Sequence, residues 1–345
     1  MIAIRNVKVE RYGYSGLFEK LSVAYPEVKF SAEQRVAATK LIPQDSSSYT
    51  YELHNINTAL ANGWRRVIQD ELEFPRFNCE LKDIKSTDMF CAKMTDYVQN
   101  RIYLIPTQYL PCPSDPDLKK GLDSKKHTYT ISVKNNTTDK IEVTSADIKT
   151  ESKFEWNRNI GIIEIRPGCT FDASLTLEWG INKTHGSFAK LGPVQYQALD
   201  FPDYPAAATV VVKNYRLGIT TGQLIDPKFV TILAWKTLRL KMQAAATAIG
   251  EIKVLPHVAP TLKVSTIRGD RIQYEFLGET ATVTNILAWY GYTLDPSISF
   301  IAAGDNHIED LSRVVNITHP EHQKLLQTAA ARSVKDIDAI LALLV

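Results

Sequence analysis

The chain has 345 residues, 44% of them hydrophobic and 23% charged, a profile that excludes disordered and fibrous classes. Its 40 basic and 38 acidic residues leave a net charge of +2, without the basic excess of a protein that grips nucleic acid through its phosphates. Cys79, Cys91, Cys112 and Cys169 form no CxxC pair and no zinc spacing, so they read as reduced structural thiols.

No apolar run reaches the ~18 residues of a membrane span, and "MIAIRNVKVERYGY" lacks the apolar core of a signal peptide. Residues 1–45 read as an N-terminal extension. Within it "SAEQRVAATKLIP" fits a short helix, with Ser31 and Gln34 spaced as a capping box and Pro43 closing it. "YTYEL" then alternates as a half-buried strand, with Tyr49, Tyr51 and Leu53 on one face. A helix follows in "TALANGWRRVIQDELEF": Leu60, Trp64, Val67, Ile68 and Leu72 recur at helical spacing, and Pro75 is expected to end it.

Residues 111–205 read as an all-β insertion. "PCPSDPDLKKGLDSKK" is its polar entry linker, "DFPDYPAAA" its exit, and "HTYTISVKNNTTDKIEVTSADI", "GIIEIRPG" and "FDASLTLEW" are short alternating strands. The long helix "DPKFVTILAWKTLRLKMQAAATAI" starts with Asp226 as N-cap and Pro227 at its first position. Phe229, Ile232 and Leu233 are its candidate interface residues. In the closing helix "PEHQKLLQTAAARSVKDIDAILALL", Leu326, Ala330, Val334, Ile337, Leu341 and Leu344 form a stripe suited to a partner helix.

The two halves of the chain resemble one another. Tyr51-Glu52-Leu53 stands eleven residues before Asn62, and Tyr274-Glu275-Phe276 eleven residues before Asn285. Around those asparagines Leu60 aligns with Val283, Trp64 with Leu287 and Val67 with Tyr290. Such register over a strand and a helix indicates a degenerate repeat. Two related halves bury their apolar faces naturally as a pseudo-twofold pair.

Chemistry-bearing motifs are scarce. Arg65 and Arg66 flank an apolar stripe, but "INTALANG" is not the glycine-rich loop that a phosphate site needs. That leaves a solvated helix face or a docking surface. Asp200, Asp203, Asp295 and Asp305 stand apart at turns, with no two on one helical face. The seven histidines show neither an HExxH nor a triad context. No catalytic residue, cofactor site or metal site is expected.

"NTALANGWRRVIQDELEFPRFNCELKDI", followed by Asn100-Arg101-Ile102-Tyr103-Leu104-Ile105-Pro106, resembles the alpha-like assembly subunit of multisubunit RNA polymerases. "GINKTHGSFAKLGPV" is similar to that family's insertion motif, with His185, Ala189, Lys190, Gly192 and Pro193 matching. From about Leu262 the chain resembles the family's smaller partner subunit. The partner's "DHTLGNLL" stands here as Glu279 to Leu287, with Ala281 in place of its histidine and Thr284 in place of its glycine. The metal-binding cysteines of some relatives are absent. Both partners in one chain look like the fused subunit of large nucleocytoplasmic DNA viruses.

The resemblance implies an α+β chain of two alpha-like dimerisation modules paired within one molecule. The modules would span 46–110 with 206–252, and 253–345, with the β domain 111–205 inserted in the first. It implies a non-catalytic assembly platform, nucleotidyl transfer belonging to the whole DNA-directed RNA polymerase. Asn62, Arg65, Arg66 and Arg101 would dock the two large catalytic subunits, and His185, Lys190, Gly192 and Pro193 would form a contact motif of the insertion. Leu60, Trp64, Val67 and Ile68 of the first half would face Val283, Leu287 and Tyr290 of the second. Small zinc-bearing subunits would be further partners, DNA would be met only through the complex, and a homodimer is not expected. Virion and infected host cell, cytoplasm before nucleus, would be its location. The competing readings are a cytosolic enzyme with an unrecognised site and a viral structural protein with a borrowed fold.

Overall fold

The computed structural model describes residues 2–12, 46–109, 129–152, 154–200, 213–222, 224–298, 300–305 and 312–344. The helix expected at 31–43, the entry linker, Cys112, Asp203 and the exit segment from residue 201 lie outside them.

In the first half, Ala3–Tyr12 (β1) and Ser46–His54 (β2) precede the helix Thr58–Arg66 (α1). Then come Glu73–Asn78 (β3), Ile84–Ser86 (β4), Met89–Lys93 (α2), Thr95–Tyr103 (α3) and Tyr129–Lys134 (β5). Ile141–Thr144 (β6), Ile148–Lys149 (β7), Gly161–Ile165 (β8) and Thr170–Ile181 (β9) follow. Leu191–Ala198 (β10), Asn214–Thr221 (β11) and Pro227–Gly250 (α4) end the half. The second half holds His257–Val258 (β12), Leu262–Arg268 (β13), Arg271–Leu277 (β14), Ala281–Leu294 (α5), Phe300–Asp305 (β15), Ser312–Thr318 (β16) and His322–Leu344 (α6).

Two sheets share one strand order. The first runs β1-β2-β11-β10; the second repeats it as β13-β14-β16-β15, with the short β12 added at its edge. The helices follow the same rule, since α1 and α5 each come after the second strand of their sheet, and α4 and α6 after the last. Tyr51 and Tyr274, aligned by the repeat, are both fully buried.

The N-terminus corrects the sequence reading. Residues 1–45 are not all extension, because β1 pairs antiparallel with β2 from Ala3 opposite His54 to Tyr12 opposite Ser46. A register shift between Arg5 and Lys8 includes Asn6, whose φ is 49°.

The helix after β2 also ends earlier than expected. Asn57 caps it, its side chain accepting from the Leu60 amide at 2.8 Å. It continues as a π turn over Val67–Glu71 and stops at Leu72, whose backbone is extended. Pro75 lies inside β3 instead. It is tolerated there because β3 is the edge strand of the sheet β3-β9-β5-β7.

One core runs through both halves. It contains Leu60, Trp64, Val67 and Ile68 of the α1 region together with Val283, Leu287, Tyr290, Leu326, Ala330 and Ile337. Helix α4 packs along α6, and α1 crosses α5. The crossing falls at Gly63, where an added Cβ would lie 3.1 Å from Ile286 Cδ1. Ile232, Leu233, Val334 and Leu341 pack half-buried against this core. Phe229 does not join it: 43% exposed, its ring sits 5.3 Å from that of Tyr109. The buried face of α4 runs through Val230, Ala234, Trp235, Leu238 and Met242, and Phe229 falls beside that stripe. Ile337→Ala is therefore expected to cost about 2–5 kcal/mol and Leu341→Ala about 1–2 kcal/mol, read from denaturant midpoints. Equal costs would contradict this burial.

A second core gathers Phe77, Tyr129, Phe154 and Trp156 as edge-to-face aromatic neighbours, the Phe77 and Tyr129 rings being 5.2 Å apart. Its membership departs from the expected boundaries. β3 and β4 pair with β9 although both precede residue 111, and Val98 and Ile102 of α3 are buried with them. β10, expected inside the insertion, pairs instead with β11 of the first sheet. The boundary of this core therefore does not fall at residue 111. The short α2 and α3, which precede residue 111, pack with the same core.

Candidate functional site

The α1–α5 crossing presents the candidate docking residues. Arg65 donates to the Asn62 side-chain Oδ1 through Nε at 3.1 Å and Nη2 at 2.9 Å, and through Nη1 to Gln69 Oε1. Its guanidinium also lies 5.9 Å from the Tyr196 ring centre. These contacts lay the arginine along its own helix, with its stem half-covered. Arg66 and Asn62 line a cleft of about 340 Å³ with Thr58, Gly63, Asn285 and Trp289. Asn62 and Asn285, aligned by the repeat, therefore meet at one cleft. Arg101 is elsewhere: its Nε and Nη2 donate to the Gly161 carbonyl at 3.0 and 2.5 Å, tying α3 to β8.

The insertion motif folds around an arginine that the sequence reading passed over. Arg76 is 7% exposed, donates to Glu178 at 3.1 and 2.8 Å and to Ser187, and lies 4.2 and 4.3 Å from the Tyr103 and Phe188 ring centres. His185 caps the turn Gly186–Phe188, its Nδ1 accepting from the Ser187 amide at 3.1 Å. Gly192 and Pro193 occupy the register shift at the start of β10, where an added Cβ on Gly192 would lie 3.0 Å from the Thr220 carbonyl. A charge between two buried phenylalanines, in "FPRFN", was the signal for Arg76.

Lys190 is held inside this turn, its Nζ donating to the carbonyls of Tyr103 at 3.3 Å and Ile105 at 3.0 Å. Burial, and secondarily the nearby Arg76 charge, lower its pKa to about 8. The folded protein thus releases this proton near pH 8, while the unfolded chain keeps it until about pH 10.4. Between those values the unfolded state binds more protons, so stability rises with pH. The contribution is expected to be about 1–3 kcal/mol across that window, discounted for residual solvent contact. Lys190→Met should flatten that part of the pH–stability curve relative to the parent protein.

A second unforeseen group joins the halves. Glu71, in the π turn, accepts from Thr280 Oγ1 at 2.6 Å and Thr282 Oγ1 at 3.0 Å and pairs with Lys241 Nζ at 3.1 Å. Lys241 also reaches Glu279 at 2.8 Å. Burial alone would lower the Lys241 pKa, but the two carboxylates hold it above the ordinary value. No sequence signal links residues so far apart.

Asp200 accepts from Asn214 at the start of β11, and Asp295 accepts from Ser297 within its turn and from the more distant His319. Among the described residues no three His, Cys, Asp or Glu side chains gather as a metal site would require. No described helix is long and apolar enough to cross a membrane.

Comparison with known proteins agrees with the motifs. The chain is 23% identical over 343 residues to the DNA-directed RNA polymerase RPB3-11 homolog of African swine fever virus isolate Tick/Malawi/Lil 20-1/1983, covering 90% of each chain. The homologs of isolates Tick/South Africa/Pretoriuskop Pr4/1996 and Warthog/Namibia/Wart80/1980 are each 22% identical over the same share. No family model matches. The class that these relatives' names define is that of a DNA-directed RNA polymerase subunit. Within it, the relatives bear out the resemblance to a fused alpha-like subunit of the viral kind.

Proposed function

We propose that the protein is a non-catalytic assembly platform of a viral RNA polymerase, in which two alpha-like modules form an intramolecular heterodimer. The observation that carries this is the repeated strand order, β1-β2-β11-β10 and β13-β14-β16-β15, with one core shared between the halves. Residues 73–190 are then the inserted domain, and β1 belongs to the first module. Joining the modules in one chain gives them an effective concentration on the order of mM. The protein should accordingly be a monomer when isolated.

The α1–α5 cleft with Asn62 and Arg66, together with Arg65 on the neighbouring flank of α1, is the docking face for the large catalytic subunits, and the inserted domain faces the small zinc-bearing ones. Arg101 and Lys190, bonded to internal carbonyls, position the inserted domain and are not themselves docking groups. Assembly takes place in the infected cell, and the product enters the virion.

Arginine suits docking because its planar fork can hold a partner's carboxylates or carbonyls bidentately. Replacing Arg65 and Arg66 together by alanine is expected to leave the melting midpoint close to normal. Recruitment of the large subunits should fall about 30-fold or more, as when paired arginines are lost from an interface. A pull-down of the large subunits beside a melting curve is the test. Normal recruitment by the folded double variant would remove the docking role.

A further inference from the structure

We propose that Lys190 is an acyl-acceptor site, reached through the cavity of about 540 Å³ that Leu104, Trp156, Arg158, Leu224, Ile225 and Lys190 line. The cavity lies between the inserted domain and the end of the first sheet. Its volume falls within the range of small-molecule sites. Its wall offers an apolar surface, from Leu104, Leu224, Ile225 and the Trp156 ring, on which an acyl chain or ring can rest.

The amine is set up for nucleophilic attack by its hydrogen bonds. A neutral lysine amine has two N–H groups and one lone pair, and both N–H groups are engaged by the Tyr103 and Ile105 carbonyls. The lone pair is what remains for the cavity. Burial and the Arg76 charge disfavour the ammonium form, so the nucleophilic fraction near neutral pH is far above that of an ordinary lysine. The acylated product suits the same surroundings: an amide is uncharged and keeps one N–H for the Ile105 carbonyl, the shorter of the two contacts. No charge needs to be buried in the product.

The step is a plain acyl transfer. The Nζ lone pair adds to the carbonyl carbon of a thioester or activated ester. The tetrahedral adduct expels the thiolate or alkoxide with its bonding pair, and the nitrogen gives one proton to water. No oxidant or reductant is involved. The inference stands apart from the polymerase reading, since it concerns the isolated chain.

The full-length protein treated with p-nitrophenyl acetate at pH 7.5 tests it, with acetylation of each lysine followed by peptide mass spectrometry. The exposed Lys93 and Lys228 serve as internal standards. The neutral fraction at Lys190 exceeds that of an ordinary lysine by about two orders of magnitude. Lower intrinsic nucleophilicity offsets part of that, so Lys190 should react about tenfold faster than either standard. Lys190→Arg, which can still donate to both carbonyls, should keep its melting midpoint and lose only this site. In urea the preference should vanish. Reaction at Lys190 no faster than at Lys93 in the folded protein would overturn the proposal. So would a preference that survives unfolding, because the fold would then not be its cause.

Discussion

Trp235→Ala is expected to lower the unfolding free energy by about 3–5 kcal/mol, the range for removing a large aromatic from a core. Trp235 is fully buried on α4. Its ring stacks on Trp64 of α1 at 6.3 Å, and its Nε1 donates to the Tyr51 hydroxyl at 2.9 Å. Tyr51 itself meets Trp64 edge-on at 5.9 Å. One side chain therefore links β2, α1 and α4, and its loss leaves both a cavity and a buried hydroxyl without its donor. Trp235→Phe keeps most of the volume but not the donor, so it should cost less, about 1–2 kcal/mol. The comparison reads directly from chemical denaturation of the two variants. Equal costs would assign the effect to the hydrogen bond and not to packing. A cost below about 1 kcal/mol for alanine would contradict the burial of this residue.

The fold was legible where local pattern and burial agree. Leu60, Trp64, Val67 and Ile68 at helical spacing, and Tyr49, Tyr51 and Leu53 at period two, lie in the core as their spacing requires. The repeat was legible too, because Tyr51 and Tyr274 stand at equal distances before Asn62 and Asn285. Failures came where long-range pairing overrides local signals. Pro75 reads as a helix end, yet the helix ends four residues earlier and the proline joins an edge strand opposite Trp179. The polar–apolar alternation of the first residues was legible, but their pairing with β2 was not. The boundaries of the second core depend on which strand pairs with β9, and composition carries no information about that. The site divides in the same way. Asn62, Arg65 and Arg66 stand out within one helix. Arg76 with Glu178 and Glu71 with Lys241 are separated by more than a hundred residues and become groups only in three dimensions.

The contact of Glu71 joins the two halves, and its replacement by alanine is expected to cost about 3–5 kcal/mol, as when one member of a buried ion pair is removed. The carboxylate is 5% exposed and meets Thr280, Thr282 and Lys241. Thr280 caps α5, so the negative charge sits at the positive end of a helix and at the same time faces a cation on α4. Removing it leaves Lys241 with Glu279 alone and two threonine hydroxyls without their acceptor. Glu71→Gln separates the parts. The amide oxygen still accepts from the threonines, while the charge is lost, so the expected cost is about half that of alanine. The π turn at Val67–Glu71 is what brings the carboxylate to this position, since a regular helix would rotate residue 71 away from α5. Because the group joins the halves, the alanine variant should also loosen them. Its α1 and α5 amides should exchange with solvent faster than those of the second core around Phe77 and Trp156, which should keep their protection. Uniform loss of protection through both cores would mean that Glu71 contributes to global stability and does not act as the local tie between the halves.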